Sequence, residues 1–162
     1  MLLRRADLLS LSYMVGYPAL IGWQWMNGVE WYLYLVVLVM SVGLSVVQHN
    51  HTHLRMWSSK PLNRITDLWL SILQATPSFV FFPSHISNHH RYKHGPEDET
   101  RTYRFGGHHN HIIGYLLHPL QALYVLPNTL ITYARKRANT RDYWPLVELG
   151  LIAAVSVVLA WM

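Results

Sequence analysis

Two uncharged apolar runs, Leu8 to Met26 and Trp31 to Val47, flank the short segment Asn27-Gly28-Val29-Glu30. At about 1.5 Å of rise per residue, each run, as a helix, comes close to crossing a hydrocarbon layer of about 30 Å. Asn-Gly is a tight-turn signal, and Trp31 and Tyr32 suit the interfacial aromatic belt, so the two runs predict a transmembrane hairpin. A further apolar stretch, Val147 to Trp161, predicts a third span. The chain is 51% hydrophobic and only 13% charged over 162 residues, the balance of a membrane protein rather than of a soluble globule. A cleaved signal peptide after Arg4 and Arg5 is disfavoured by Tyr17-Pro18, by Trp23-Gln24-Trp25 and by the lack of a small-residue cleavage site.

The segments between the spans are apolar but interrupted. Leu62 to Phe82 carries Arg64, Asp67 and Pro77, and places Ile65, Leu68, Trp69, Ile72 and Leu73 on one helical face, the pattern of an interfacial helix. Ile112 to Tyr133 is expected to be kinked or broken at Pro119 and Pro127. If that stretch also lies on the surface, every Lys and Arg falls on one side of the bilayer, as the positive-inside bias requires. The expected fold is therefore an all-α membrane protein with a transmembrane helical hairpin, interfacial helices and a third transmembrane helix. It forms a single domain over 1–162, with spans at about 8–26, 31–48 and 145–162 and a cytosolic, interfacial region at 49–144. The 13 basic against 8 acidic residues alternate with apolar runs, which fits membrane orientation and not nucleic-acid binding.

There is no cysteine, which excludes thiolate metal sites, iron–sulfur clusters and cysteine nucleophiles from this stretch. Histidine is abundant instead, and all 11 lie between His49 and His118. His49 and His53 stand four apart where the second span ends, on one face if the helix continues. His85 and His89 repeat that spacing, with His90 one step further round the helix. Imidazole suits Fe, Zn, Cu and Ni, so these donors specify a transition-metal site without selecting the metal. His51 falls off the ligand face. His94, His108, His109, His111 and His118 read as loop, outer-shell or packing residues more readily than as ligands. The run Glu97-Asp98-Glu99 reads as a solvated acidic segment, with an outer-shell role as the lesser alternative.

Two spans, an HxxxH box (His49, His53), an interfacial stretch and an HxxxHH box (His85, His89, His90), in that order, resemble the membrane fatty acid desaturase and hydroxylase superfamily. The resemblance covers about residues 8–162 in layout and is most specific at the boxes and the following Arg91 to Thr100. It implies an oxidoreductase of lipid metabolism with a di-iron centre on the cytosolic side, held by His49, His53, His85, His89 and His90. O2 would be used there to desaturate a fatty acyl chain. Hydroxylation or ketolation of a lipid or carotenoid on the same scaffold is the close alternative. A non-catalytic metal transporter or sensor is the distant one, disfavoured because the first two spans hold no ionisable residue except Tyr. Family members carry a third box, H/QxxHH, after a second pair of spans. Its absence here leads us to expect an N-terminal fragment, unless His108-His109-Asn110-His111 has taken its place. Without a nucleotide or flavin fingerprint, electrons would come from a separate donor protein of ferredoxin or cytochrome type or from a domain outside this stretch. Arg91, Lys93, Arg101 and Arg104 form a basic face suited to an acidic partner or to anionic lipid.

Overall fold

The computed structural model describes residues 1–102 and 111–161. Among them the protein is all-α, with an isolated bridge between Leu2 and Trp57 and no strand. It divides into two compact units, one formed by Met1–Ser78 with Glu148–Met162 and the other by Phe79–Val147.

In the first unit α1 (Asp7–Asn27) and α2 (Trp31–His53) form the hairpin, and α3 (Lys60–Gln74) follows. Met14, Leu44, Val47, Met56 and Leu70 make the buried cluster that joins the three helices. The helices of the hairpin approach closely at Gly43, where a Cβ would clash with Cε1 of Tyr13. Only a residue without a side chain leaves room for that ring against the α2 backbone. The N-terminus is strapped to the loop after α2 by the Leu3 N–H, which donates to the Met56 carbonyl at 2.9 Å.

α3 is amphipathic in the sense a bilayer favours. Asn63, Thr66, Asp67 and Ser71 are buried against the protein, while Ile65 and Trp69 face outward. The buried polar groups are satisfied. Asp67 accepts from Arg55 Nη1 at 2.6 Å, and the Ser71 hydroxyl donates to the Asp67 carbonyl at 2.7 Å. Gln48 on α2 donates to the Ser78 hydroxyl at 3.0 Å. α6 (Trp144–Trp161) contributes Glu148, almost fully buried, whose carboxyl group lies within hydrogen-bond distance of Ser71 Oγ, at 3.1 Å. A carboxylate within an apolar helix is tolerated only with such a partner.

α2 and α6 are each long and apolar enough to cross a bilayer, and a third crossing is counted only if α3 and Ser78–Tyr92 are taken as one broken span. Their apolar side chains are largely uncovered, among them Val39, Val42 and Val46 on α2 and Val157, Val158 and Leu159 on α6. Helices this apolar with so much of that surface uncovered belong in lipid. α1 has 21 residues, but Ser10, Ser12, Tyr13, Tyr17 and Gln24 dilute its apolar run, and it is not among the helices that qualify.

In the second unit a π-helical turn, Phe82–His89, runs into the short α4 (His90–Tyr92), and the next helix is α5 (Ile112–Asn139). Phe79 stacks on Tyr133 of α5 with centroids 6.0 Å apart. The expected breaks at Pro119 and Pro127 do not occur, and α5 is one continuous helix. Each proline removes one N–H, and the carbonyls so released, on Tyr115 and Leu123, belong to exposed residues where water or headgroups can satisfy them.

Candidate metal centre

α2 continues past the apolar run to His53, so the first box is helical. The rings of His49 and His53 face one another with centroids 4.8 Å apart. His51 points the other way and is buried. Its Nδ1 accepts the Met56 N–H at 3.3 Å, and its Nε2 lies 3.4 Å from the Asn63 carbonyl. With both nitrogens engaged, His51 fastens the end of α2 to the loop and to α3.

The second box departs from the expected α-helical spacing. In a π-turn hydrogen bonds run from i to i+5, so the fourth and fifth residues onward both come round to the first. His85 therefore meets His89 (centroids 5.1 Å) and His90 (4.7 Å) together. The Nε2 atoms of His85 and His90 are 3.1 Å apart. That is close to the roughly 3 Å between two nitrogens bound at right angles to one ion at about 2.1 Å each.

The loop after the box is built to orient His89. Lys93 and His94 both adopt the left-handed conformation, with φ of 42° and 67°, and turn the chain back on itself. Backbone strain of this kind, at about 1–3 kcal/mol per residue, persists where the surroundings over-determine it. Gly95 completes the turn, since a Cβ there would lie 2.8 Å from the Tyr92 carbonyl oxygen. Asn88 pins the returning chain by accepting the Glu99 N–H at 2.7 Å and donating to the Glu97 carbonyl at 3.1 Å.

This turn carries Asp98 into the interior, with no exposed surface. Oδ2 accepts from His89 Nδ1 at 2.7 Å and from the His94 N–H at 2.8 Å, and Oδ1 accepts from the N–H and the hydroxyl of Thr100, each at 2.8 Å. Burial by itself raises the carboxyl pKa, but the backbone bonds from Thr100 and His94, then those from the Thr100 hydroxyl and His89, outweigh it and hold it down to about 2. Asp98 is thus an ionised acceptor at neutral pH, which fixes the His89 proton on Nδ1 and leaves Nε2 with its lone pair available to a metal. His89, His94 and Asp98 also lie close enough to hold an ion among themselves. The carboxylate has about four acceptor positions and all four are filled, so Asp98 anchors the His89 ring and has no position left for an ion. The acidic run is therefore not simply solvated.

The other expected site residues fall elsewhere. His111 caps α5, its Nδ1 accepting the Gly114 N–H at 3.1 Å. The exposed His94 ring packs edge-on to His89 at 4.8 Å. Arg91 and Lys93 are exposed, whereas Arg101 is half-buried with its guanidinium 3.5 Å from the Gly95 carbonyl. Arg104, His108 and His109 lie outside the described residues. Asp98, Thr100 and Asn88 are the residues around His89 that spacing alone did not single out.

The family profile described as fatty acid desaturase matches residues 23–162. The chain belongs to the fatty acid desaturase family. No curated protein and no solved structure matches it. The desaturase family is one of oxidoreductases known for di-iron use, and the donors gathered here fit that chemistry. They are imidazoles, one of them with its tautomer set by a buried carboxylate.

Proposed function

We propose that this desaturase-family chain catalyses O2-dependent desaturation of a fatty acyl chain at a di-iron centre to which His49, His53, His85, His89 and His90 contribute. The observation that carries the reading is the Asp98–His89 pair beside His85 and His90, because a fixed tautomer within a cluster of three imidazoles suits a metal. The reaction converts –CH2–CH2– with O2, two electrons and two protons into –CH=CH– and two waters. Iron, when bound, supplies the activation of O2 that attack on an unactivated C–H bond requires.

The protein's part is positioning and exclusion of water. His85, His89 and His90 present nitrogens from a single turn, and Asp98 keeps the His89 proton at Nδ1 throughout. Ligands at the end of a membrane helix let an acyl chain reach the centre without leaving the apolar phase, where a dry site protects an oxidising species. The basic residues of 49–144 support a cytosolic placement of the boxes, and the lack of a cofactor fingerprint supports a separate ferredoxin or cytochrome-type donor.

The test is the chain expressed in membranes with a ferredoxin or cytochrome donor system, with iron measured on the purified protein and lipids analysed by mass spectrometry. Iron bound by the wild type and lost in His85→Ala and His89→Ala, with products lacking two hydrogens, is the expected result. Products that gain one oxygen would replace desaturation with hydroxylation, which releases one water. A protein that binds no iron would overturn the reading.

A further inference from the structure

The second unit contains a cleft of about 460 Å³ between the π-turn and the C-terminal half of α5, on residues that no ligation role uses. Its size is that of a small-ligand site. Pro83, Tyr92 and Tyr133 give it an apolar floor, and Arg91 and Lys136 bring two cations to its wall. The Arg91 guanidinium lies 5.3 Å from the centroid of the Tyr92 ring, which holds it in place without consuming its hydrogen-bond donors. Among the described residues no carboxylate lines the cleft, and neither Arg91 nor Lys136 is in an ion pair.

The hydrogen-bonding groups of the wall divide in two. Thr129 donates its hydroxyl to Glu99 at 2.8 Å, and Asn88 is occupied by the backbone of Glu97 and Glu99. Glu99 thus approaches through Thr129 and offsets part of the positive charge. Ser87, Asn128 and Thr132 also line the cleft, and among the described residues their side chains are not hydrogen-bonded. Two cations that Glu99 offsets only in part, hydroxyl and amide groups without a protein partner and aromatic rings beside them match a tetrahedral oxyanion carried on an apolar body. The cleft is open to solvent, with Ser87, Arg91, Asn128, Thr132 and Lys136 all exposed, so a ligand reaches all five groups directly.

We propose that this cleft binds a phosphate group, with Arg91 and Lys136 as its charged contacts and Ser87, Asn128 and Thr132 as neutral ones. The site stands on the second unit alone and does not depend on metal binding or on turnover, so its failure would leave the proposed reaction untouched. The phosphate belongs either to a lipid headgroup or to a soluble phosphate ester, and the same experiment separates these sources.

The purified chain in an uncharged detergent is titrated calorimetrically with dihexanoyl phosphatidic acid, with dihexanoylglycerol and with inorganic phosphate. Phosphatidic acid is expected to bind and dihexanoylglycerol to bind at least about tenfold more weakly. Arg91→Gln with Lys136→Gln is expected to lower phosphatidic acid affinity by about tenfold or more, while Lys93→Gln and Arg135→Gln, basic residues outside the cleft, leave it within about threefold. Inorganic phosphate that binds as tightly as phosphatidic acid identifies a soluble ester as the source, and much weaker binding identifies a lipid headgroup. Both charged residues are exposed, so their replacement leaves helix content unchanged by circular dichroism. Unaltered affinity in the double variant, an equal loss in the control variants, or equal binding of dihexanoylglycerol would overturn the proposal.

Discussion

At the scale of single residues, Asp98 decides how the second box behaves. Asp98→Asn keeps one acceptor oxygen but replaces the other with an amide donor facing groups that also donate. It is expected to lower iron affinity by about 10- to 100-fold, as changes to outer-shell partners do, with helix content preserved. A metal titration with circular dichroism on the same samples checks both parts, and unchanged affinity would remove Asp98 from the site. Gly95→Ala should act in the same direction from the backbone, because its Cβ meets the Tyr92 carbonyl at 2.8 Å. A cost of about 1–3 kcal/mol and a lower thermal midpoint are expected, against little change for Pro96→Ala nearby. The five box histidines were legible because their spacing repeats. Asp98 was not, since three adjacent acidic residues look alike until the chain is folded. Its one local signal is Thr100 two residues on, whose N–H returns to the carboxylate in an Asx turn.

At the scale of elements, the apolar runs were readable because lipid tolerates no other pattern, and α2 and α6 form where those runs lie. The π-turn was not readable. The spacing HxxxHH is compatible with 3.6 residues per turn, which would put His90 further round the helix, and only the wider turn brings it to 3.1 Å from His85. Continuity of α5 through Pro119 and Pro127 also escaped the sequence, since a proline removes one hydrogen bond without dictating where the helix ends. The contact between Tyr13 and Gly43 gives the hairpin its close packing, and Gly43→Val should destabilise it through the ring it displaces. Tyr13→Ala should recover part of that loss, so a double-mutant cycle by thermal unfolding is expected to show a coupling of about 0.5–3 kcal/mol. Additive effects would mean that the two residues do not press on one another.

At the scale of the whole molecule, the membrane class was legible from composition and charge, while the partnering of buried polar groups such as Glu148 with Ser71 depends on contacts far apart in sequence. The chain has no cysteine, so introduced cysteines report sidedness without background. If α2 crosses the bilayer with its basic end inside, Asn27→Cys is labelled in intact cells by an impermeant maleimide and Lys60→Cys only after lysis. Labelling of both from the same side would overturn that topology. One consequence reaches from the site to the life of the protein. The hydrogen bonds that shape the loop around Asp98 are all made by the chain itself, so the loop carries its own ordering contacts. If those contacts order it before metal binds, cells starved of iron should accumulate an intact, idle pool of this protein, which recovers within minutes of iron repletion while translation is blocked.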